Sequence, residues 1–575
     1  MDQDLQSIQE ARYLLEAARK AFQEFEHFSE PQVDKILAEM SKAGIANAEP
    51  LARMAHEETG YGSTEHKTMK NLFAAEDVFN AMKPMKTIGI ISESPEKKVF
   101  EVASPIGVIA AIIPSTNPTS TTIYKALIAL KGRNVIVFSP HPSAARCVNE
   151  TARLMAEAAE RAGAPKGVIS CMKIPTLEGT EELMKHRITQ LILATGGTGL
   201  VKAAYSAGKP AFGVGPGNVP AYVDRTADVP KAVRDILTGK TFDNGTLCSS
   251  EQSIVCDEPV KDQVLQELRN QGAYICNASE KALLEKTIQT PRRTLNTKIV
   301  GKPAVKIAEM AGIQVPAGTR AIVAHADGVG LEYPVSMEKL SPLLAFYTVK
   351  DWREGCERCI EILRFGGLGH TLSLHSTDEG VVREFGLKKP AFRIVVNTPA
   401  ALGAVGYTTN LFPSMTLGCG APGNNITSDN ISPLHLINVK RVAYGVREAP
   451  KSAPSSVKSS AIASPNRQVI ESAVDQWLGK KKVGAAQVER VSKAPPIQPP
   501  SAAVAPPLES FRQLESKPAA PVKTSPPAKA VAFVCEDDVR NAILTHARIV
   551  VGKKTIITPS ARDLADANDV FIPES

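Results

Sequence analysis

The sequence contains 575 residues, of which 43% are apolar, 5% are aromatic and 22% are charged, and its formal net charge is +7. This length exceeds one ordinary domain and predicts two to four. The small net charge argues against a nucleic-acid-binding protein. The longest apolar stretch, residues 106–114 (IGVIAAIIP), is too short to cross a membrane. Nine scattered cysteines are typical of a reducing, cytoplasmic compartment.

One Cys-x-x-Cys pair, Cys356 and Cys359, lies in a stretch with helical spacing. A zinc or redox site of this kind normally includes a second pair or nearby histidines, and neither accompanies this one. We therefore predict that the pair results from chance on one helix face, and we predict no metal site.

In chain order, the sequence first predicts a helix, because apolar residues recur at helical spacing over residues 11–22. Two strand-like segments then predict a hairpin near residues 86–105. Next come apolar runs that alternate with helical stretches: GVIAAIIP, NVIVFSP, QLILATGG and AYVD. A second series consists of SIVCD, YICN, AIVAHAD, LLAFYTVKD, TLSLHS and IVVNTPA. Strand–helix alternation at this spacing predicts a doubly wound α/β sheet followed by a second α/β domain.

The composition changes after the segment LHLINVKRVAYG. Residues 451–530 are rich in Pro, Ala, Ser and Lys, which predicts a disordered or extended linker. Residues 465–482 interrupt this linker with apolar residues on one helical face, and so predict an amphipathic helix. A helix this short needs a partner surface to be stable. It is either a nascent helix without a role or a tethered docking peptide, and we favour the docking peptide. Residues 531–575 are typical of a small appended module of unknown role.

Three segments carry residues suited to chemistry. Cys248 lies among small and polar residues in FDNGTLCSSEQSIV, so it is either an inert sulfur in a turn or a reachable nucleophile. Asn117 follows a buried strand and precedes a helix, where an amide can donate into a cleft, although an Asn before Pro is also a common turn residue. The glycine-rich turn of residues 194–204 (ATGGTGLVKAA) suits either a phosphate or tight packing.

Seven motifs occur in the order STNPTSTTIYKALIALKGRN, FSPHPSA, ATGGTGLVKAAYSAGKPAFGVGPGNVPAYVD, FDNGTLCSSEQ, EKLSPLLAFY, GLGHTLSLHS and NTPAALGAVGYTTNL. Together they resemble the aldehyde dehydrogenase superfamily, in particular its CoA-acylating branch, which includes acetaldehyde and propionaldehyde dehydrogenases of bacterial microcompartments. The resemblance covers roughly residues 1–447. It implies an NAD-binding domain over residues 1–221 with an oligomerisation hairpin near 86–105. The resemblance also implies a catalytic domain over 222–420. Residues 421–447 then return to the cofactor domain and include an oligomerisation strand.

The resemblance also assigns roles to individual residues. Cys248 matches the nucleophile, and Asn117 matches the amide that stabilises the oxyanion together with the backbone N–H of Cys248. Glu338 matches the residue that holds the nicotinamide ribose. The turn formed by Thr195, Gly196 and Gly197 matches the glycine-rich segment that lies near the cofactor phosphates in this superfamily.

Two departures from the hydrolytic branch bear on the last step. Hydrolytic members carry a glutamate general base in an E-L-G-G-K block, and alignment of that block on VGPGNVP places Val214 at the glutamate position, 34 residues before Cys248. Because valine cannot activate water, the resemblance implies that the thiol of CoA takes the acyl group. The second departure is in FSPHPSA, where Ser139, Pro140 and His141 lie at the cofactor position, and Ser139 replaces the lysine that binds the adenosine ribose.

The resemblance thus implies oxidation of a short-chain aldehyde, propionaldehyde or acetaldehyde, with NAD+ and CoA to acyl-CoA and NADH. The alternatives are a hydrolytic aldehyde dehydrogenase that gives the free acid, and an inactive scaffold. His370, in GLGHTLS, either orients substrate or CoA or has a structural role at the start of a strand. The choice between NAD and NADP stays open.

The resemblance further implies a homo-oligomer, a dimer or a tetramer. Microcompartment aldehyde dehydrogenases often carry a short encapsulation helix on a Pro/Ala linker, and residues 465–482 resemble one. We therefore expect the tail to bind shell or cargo proteins. The expected location is cytoplasmic, inside a bacterial microcompartment.

Overall fold

A computed structural model describes four stretches of the chain: residues 2–448, 531–545, 547–566 and 570–573. The chain divides into two compact units, Met1–Ser452 and Ala453–Ser575, which are described separately. The predicted linker over 451–530 and its predicted helix over 465–482 lie outside the described residues.

Five helices form the first part of the larger unit: α1 Gln3–Phe25, α2 Glu30–Ala46, α3 Ala48–Thr59, α4 Thr64–Leu72 and α5 Val78–Met82. A short π-helical turn, Phe73–Asp77, joins α4 to α5. Helix α1 buries Ala11, Leu15 and Ala18, which are spaced so that they share one face. The hairpin strands β1 (Gly89–Ser94) and β2 (Val99–Pro105) follow and pair in antiparallel fashion.

The first large sheet contains five parallel strands in the order β5-β4-β3-β6-β7. Its elements in chain order are β3 Val108–Ile113, α6 Pro118–Lys131, β4 Val135–Pro140, α7 Ala145–Arg161, β5 Ile169–Cys171, α8 Leu177–Lys185, β6 Thr189–Thr195, α9 Thr198–Tyr205 and β7 Ala211–Val214. Every residue of β3 and β4 is buried, as expected for parallel strands covered on both faces. The sheet and helices α1 to α3 and α5 to α8 contribute to one hydrophobic core.

The second large sheet has seven parallel strands in the order β10-β11-β12-β9-β8-β13-β14. Its elements are β8 Val219–Val223, α10 Val229–Thr241, β9 Glu251–Asp257, α11 Lys261–Asn270, β10 Ala273–Ile275, α12 Ala278–Ile288, α13 Ala304–Ala311, β11 Ala321–His325, β12 Leu343–Val349, α14 Trp352–Gly366, β13 Gly369–His375, α15 Glu379–Lys388, β14 Ala391–Val396 and α16 Ala400–Ala404. Strand β8 pairs with β9 and β13, so AYVD belongs to this sheet and not to the first series. The boundary predicted between residues 221 and 222 therefore falls inside a strand of the second sheet.

A third sheet joins the hairpin to a late segment of the larger unit. Strand β15 (Ile437–Ala443) pairs in antiparallel fashion with β2, which gives the order β1-β2-β15. Large apolar side chains are exposed on and beside this sheet, namely Ile90, Val442 and Tyr444. The late segment thus returns to the first half of the chain after the second sheet is complete.

The smaller unit is a compact α/β element in its described part. It consists of β16 Val531–Val534, α17 Glu536–Leu544, β17 Ile549–Ile557, α18 Pro559–Asp566 and β18 Phe571–Pro573. The three strands are parallel in the order β16-β17-β18. Val534, Val539, Ala561 and Ala565 form part of its buried core. The appended segment thus has a core of its own.

Two searches of the described residues bear on membrane and metal binding. Within them, none of the helices combines the length and the apolar character that a membrane span requires. Nor do the described His, Cys, Asp and Glu side chains form a group of three or more suited to a metal ion. Cys356 and Cys359 lie on α14 and are buried, and they are not disulfide-bonded.

Candidate active site

The carboxyl ends of parallel strands lie at one edge of a sheet, and in the first sheet this edge carries four predicted site residues. Asn117 follows β3, Pro140 ends β4, Thr195 ends β6 and Val214 ends β7. The pairing of β6 with β7 places Thr195 opposite Val214. The fold thus brings these residues, which are far apart in sequence, to the same edge.

Cys248 lies in the loop between α10 and β9, just after the tight turn Phe242–Gly245. Within that turn Asp243 and Asn244 adopt left-handed backbone conformations, with φ of 48° and 52°. Gly217 approaches the loop so closely that a Cβ at that position would lie 2.3 Å from the carbonyl oxygen of Cys248. Only glycine therefore fits where the segment after β7 passes the nucleophile loop.

The electrostatic surroundings of Cys248 keep its thiol protonated. The residue is half-buried. Burial, the charge of Glu338 and the neighbouring Cys419 raise the pKa of the Cys248 thiol to about 12, whereas the Arg393 guanidinium opposes this shift. Because the thiolate is the nucleophilic form, the reaction needs a change that favours the thiolate when ligands bind.

The Asn117 amide is oriented by contacts on both of its ends. Its Oδ1 accepts a hydrogen bond from Lys70 Nζ at 2.5 Å. Its Nδ2 donates to the Thr246 carbonyl oxygen at 3.4 Å and to Thr116 Oγ1 at 3.2 Å. The N–H end of the amide therefore faces the loop that carries Cys248, two residues beyond Thr246. This is the orientation that an oxyanion donor requires.

Glu338 connects the second sheet to the segment after β7. Its Oε1 accepts a hydrogen bond from the Gly217 backbone N–H at 2.8 Å. Burial raises the pKa of Glu338 to about 8, against the Gly217 hydrogen bond and the charges of Lys240 and Lys339, which lower it. Since Gly217 also packs against the Cys248 carbonyl, Glu338, Gly217 and Cys248 lie together.

The glycine-rich turn has the features of a phosphate site. Thr195 Oγ1 is buried and has no hydrogen-bond partner. Gly197 lies at the N-terminus of α9, and a Cβ there would meet no atom within 4 Å. An unpaired hydroxyl and an open helix N-terminus fit the phosphates of a dinucleotide. These residues, with Glu338, would hold NAD in this fold.

The FSPHP segment lies at the same edge, but its side chains are engaged elsewhere. Ser139 is buried, and its hydroxyl hydrogen-bonds to Thr180 Oγ1 of α8 at 2.7 Å. His141 is exposed, and its Nδ1 contacts Ser143 Oγ at 2.8 Å. The Ser139 hydroxyl thus contacts α8, whereas His141 is exposed, and the cofactor roles predicted for Ser139, Pro140 and His141 stay predictions.

His370 is buried at the start of β13 and lies beside Gly217. Its Nδ1 contacts Thr371 Oγ1 at 2.9 Å, and its Nε2 is buried without a hydrogen-bond partner. Burial, together with the charge of Arg393, lowers the pKa of His370 to about 3, so the ring is neutral. The Arg393 guanidinium donates to the His370 carbonyl oxygen at 2.8 Å. This histidine therefore has both a structural contact and a free ring nitrogen.

Four charged residues of the site have no counterpart among the sequence predictions: Lys67, Lys70, Asp243 and Arg393. All four are almost completely buried. The spacing of Lys67 and Lys70 on α4 was a usable signal, because two lysines three residues apart share one helix face. Asp243 and Arg393 gave no such signal, since their partners are distant in sequence.

An apolar cleft lies next to these groups. Its free volume is about 20 Å³, which is about the space that one water molecule needs. Its walls include Met69, Phe73, Phe242, Leu247, Leu402 and Met415. Leu247 directly precedes Cys248, and Lys70 also borders the cleft. A narrow cleft with mainly apolar walls therefore lies beside the nucleophile loop.

A reachable cysteine, an amide donor that faces its loop and a phosphate-type turn at the end of a parallel strand are features typical of cysteine-dependent enzymes with a nucleotide cofactor. Residues 4–329 match the aldehyde dehydrogenase family, and the chain belongs to this family.

The chain is similar to several solved structures. It is 56% identical to an acetylating aldehyde dehydrogenase from Geobacillus thermoglucosidasius, with a TM-score of 0.77 over 78% of this chain and 100% of that one. It is 31% identical to a propionaldehyde dehydrogenase from the Clostridium phytofermentans fucose utilisation bacterial microcompartment, with a TM-score of 0.69 over 76% of this chain and 97% of that one. It is 29% identical to the Rhodopseudomonas palustris propionaldehyde dehydrogenase with bound CoA and an acylated cysteine, with a TM-score of 0.67 over 76% of this chain and 97% of that one.

The chain spans about half the length of the first curated relatives that it matches. One of these is the bifunctional aldehyde-alcohol dehydrogenase AdhE of Escherichia coli strain K12. The two are 45% identical over 442 residues, which cover 76% of this chain and 50% of that protein.

Proposed function

We propose that the protein oxidises a short-chain aldehyde and transfers the acyl group to CoA. The observation that carries this proposal is the buried Val214 at the end of β7, where hydrolytic members of the family have a glutamate. A valine side chain cannot remove a proton from water, so an acyl group on Cys248 is protected from hydrolysis at this position. The CoA-bound relative with an acylated cysteine supports the same outcome.

The chemistry begins at Cys248. The Cys248 thiol loses its proton to water, the thiolate sulfur adds to the aldehyde carbon to form a C–S bond, and the carbonyl oxygen becomes an oxyanion. Asn117 Nδ2 and the backbone N–H of Cys248 donate to that oxygen and stabilise its charge. NAD+, when bound, supplies the hydride acceptor that oxidises the adduct. The acyl group is then a thioester on Cys248.

The acyl transfer regenerates the enzyme. The CoA thiolate adds to the thioester carbon, and collapse of this adduct breaks the bond to Cys248 Sγ and releases acyl-CoA. The same two donors serve the oxyanion of this second addition. The backbone of Gly217 lies close to the Cys248 carbonyl oxygen and leaves no space for a side chain on that side of the loop. The predicted roles of His370 and Glu338 toward CoA and the nicotinamide ribose are part of this proposal.

The apolar cleft favours an aldehyde with a short alkyl chain, because its walls beside Leu247 are hydrocarbon and its volume is small. Both acetaldehyde and propionaldehyde fit this description.

We expect NADH to form rapidly from propionaldehyde or acetaldehyde and NAD+ only when CoA is present, because the thioester otherwise persists on Cys248. The measurement is NADH absorbance with and without CoA, together with mass spectrometry of acyl-CoA and free acid. Without CoA, a single turnover per active site is expected. The matched control is Val214→Ala, which keeps the position apolar and should still form acyl-CoA.

Two results would contradict the proposal. Rapid turnover without CoA that yields carboxylate would assign the protein to the hydrolytic class. Absence of NADH under every condition, with correctly folded protein, would favour a scaffold without activity.

We further propose that the tail directs the protein into a bacterial microcompartment by contacting shell or cargo proteins. The amphipathic pattern over 465–482 and the microcompartment relative support this proposal. The exposed apolar residues of the sheet formed by β1, β2 and β15 support assembly into a dimer or tetramer.

Removal of residues 451–575 is expected to leave turnover of the purified enzyme within about twofold, because all of the site residues lie before residue 448. The same truncation should abolish co-purification with assembled shells. The measurement compares shell-associated activity of the full and truncated chains. Retention of the truncated chain in shells would show that the tail is not the targeting segment.

A further inference from the structure

A cluster of three buried charges lies directly behind the proposed oxyanion donor. Lys67 and Lys70, both on α4, pair with Asp243 of the nucleophile loop. The distance from Lys67 Nζ to Asp243 Oδ2 is 3.0 Å, and Lys70 Nζ contacts the same oxygen. Two lysines contact one buried carboxylate, and a single charged lysine is enough to neutralise it. One of them, Lys70, has a second partner in Asn117.

We propose that Lys70 is a positioning residue that sets the orientation and donor strength of the Asn117 amide for the oxyanion steps. The inference rests on the proposed function, because it concerns the oxyanion formed when Cys248 attacks the aldehyde or its thioester is attacked by CoA. Lys70 acts through Asn117 and does not itself bind the oxyanion.

The hydrogen-bonding chemistry fixes the direction of the amide. The lysine ammonium only donates, so the atom of Asn117 that faces Lys70 at 2.5 Å is the amide oxygen. The amide nitrogen then faces the Cys248 loop, where its nearest partner is the Thr246 carbonyl oxygen at 3.4 Å. That contact is long, so the N–H is available to a stronger acceptor. A cation on the amide oxygen also polarises the amide and makes its N–H a better donor.

The same cluster contacts both the loop that carries Asn117 and the loop that carries Cys248. Lys67 Nζ donates to the carbonyl oxygen of Thr116, the residue before Asn117, at 3.1 Å. Asp243 Oδ2 accepts from Thr246 Oγ1 at 2.7 Å. The donor loop and the nucleophile loop are therefore linked through buried ionic contacts, with Lys70 at the point where they converge.

The charges around Lys70 also suit this role. Burial lowers the pKa of Lys70 to about 7, and the carboxylate of Asp243 opposes that shift. Burial alone would raise the pKa of Asp243, but the charges of Lys70 and Lys67 lower it to about 2. The titratable groups that interact electrostatically with Lys70 are Asp243, Lys67 and His66. Asp243 is the group that favours the charged form of Lys70.

A double-mutant cycle between Lys70 and Asn117 tests the proposal. We expect Lys70→Met to lower kcat for aldehyde oxidation about ten- to hundredfold, with little change in the KM for NAD+, since loss of a preorganised oxyanion donor costs rate. In the Asn117→Ala background, Lys70→Met should cost less than about threefold, because its effect passes through the missing amide. Lys70→Gln, which keeps a neutral donor, should restore part of the rate.

The matched control is Lys131→Met, which removes another buried lysine that is salt-bridged to Asp34 at 2.8 Å, far along α6 from Asn117. It should leave kcat within about twofold, and thermal unfolding of every variant reports on folding. Full additivity of the Lys70 and Asn117 effects, or an unchanged rate in Lys70→Met, would overturn the proposal. Wild-type protein that oxidises no aldehyde would instead overturn the proposed function. If Lys70→Met does not fold, the cycle with Lys70→Gln decides in its place.

Discussion

Substitution of Cys248 by alanine is expected to reduce NADH formation by about 10⁵-fold or more, because the proposed covalent adduct forms on the Cys248 sulfur. Cys248 lies in the loop that Gly217 approaches, with Asn117 aimed at the same loop. Alanine removes the sulfur without adding volume, so the fold should be unaffected. Absorbance of NADH in the presence of aldehyde, NAD+ and CoA measures the effect.

The control for this variant is Cys256→Ala, which removes a buried cysteine of β9 that does not face the site. It is expected to retain activity, although deletion of a buried sulfur lowers the free energy of unfolding by about 1 kcal/mol. Mass spectrometry after single turnover without CoA should find the acyl group on Cys248 in the wild type and in Cys256→Ala, and no acyl group on residue 248 in Cys248→Ala. Substantial activity in Cys248→Ala would assign the nucleophile to another residue.

Substitution of Asn117 by alanine is expected to lower kcat about 10²- to 10³-fold, with a smaller change in the KM for NAD+. The amide is held by Lys70 on its oxygen and lies opposite the Thr246 carbonyl, so it is fixed before the substrate arrives. Its loss removes a donor that acts where negative charge develops. Steady-state kinetics with saturating CoA measure the effect.

Asn117→Asp tests the role of the N–H donor more specifically than alanine does, because it keeps the size of the side chain but replaces the N–H donor with a carboxylate oxygen. Its loss of rate should equal or exceed that of alanine. Asn149→Ala, on α7, removes an amide that donates only to backbone carbonyl oxygens and should leave kcat unchanged within about twofold. A normal rate in Asn117→Asp would exclude the amide as the oxyanion donor.

Much of the fold was predictable because buried parallel strands appear as continuous apolar runs. GVIAAIIP and NVIVFSP became β3 and β4, in which every side chain is buried. The position of AYVD was not predictable in the same way. An apolar run indicates that a strand is buried, but it does not indicate which strands pair with it. Strand β8 pairs with β9 and β13, which come later in the chain.

The candidate site residues also fall into two groups: those that a local motif identifies, and those that come together only when the chain packs. Cys248, Asn117 and the glycine-rich turn could be identified from motifs that lie within short segments. The spacing of Lys67 and Lys70 indicated a shared helix face, but their pairing with Asp243 could not be identified, because the Lys70–Asp243 contact joins residues 173 positions apart. A buried ion pair of this kind depends on how α4 packs against the nucleophile loop, and no local pattern encodes that packing.

The high pKa of the resting Cys248 thiol has a consequence for survival of the enzyme under oxidative stress. With a pKa of about 12, only about one thiol in 10⁵ is ionised at pH 7. Peroxides attack thiolates and hardly react with thiols. A protonated sulfur is therefore a poorer target for oxidation to sulfenic acid than an ionised one, and we expect peroxide to inactivate the unliganded protein slowly.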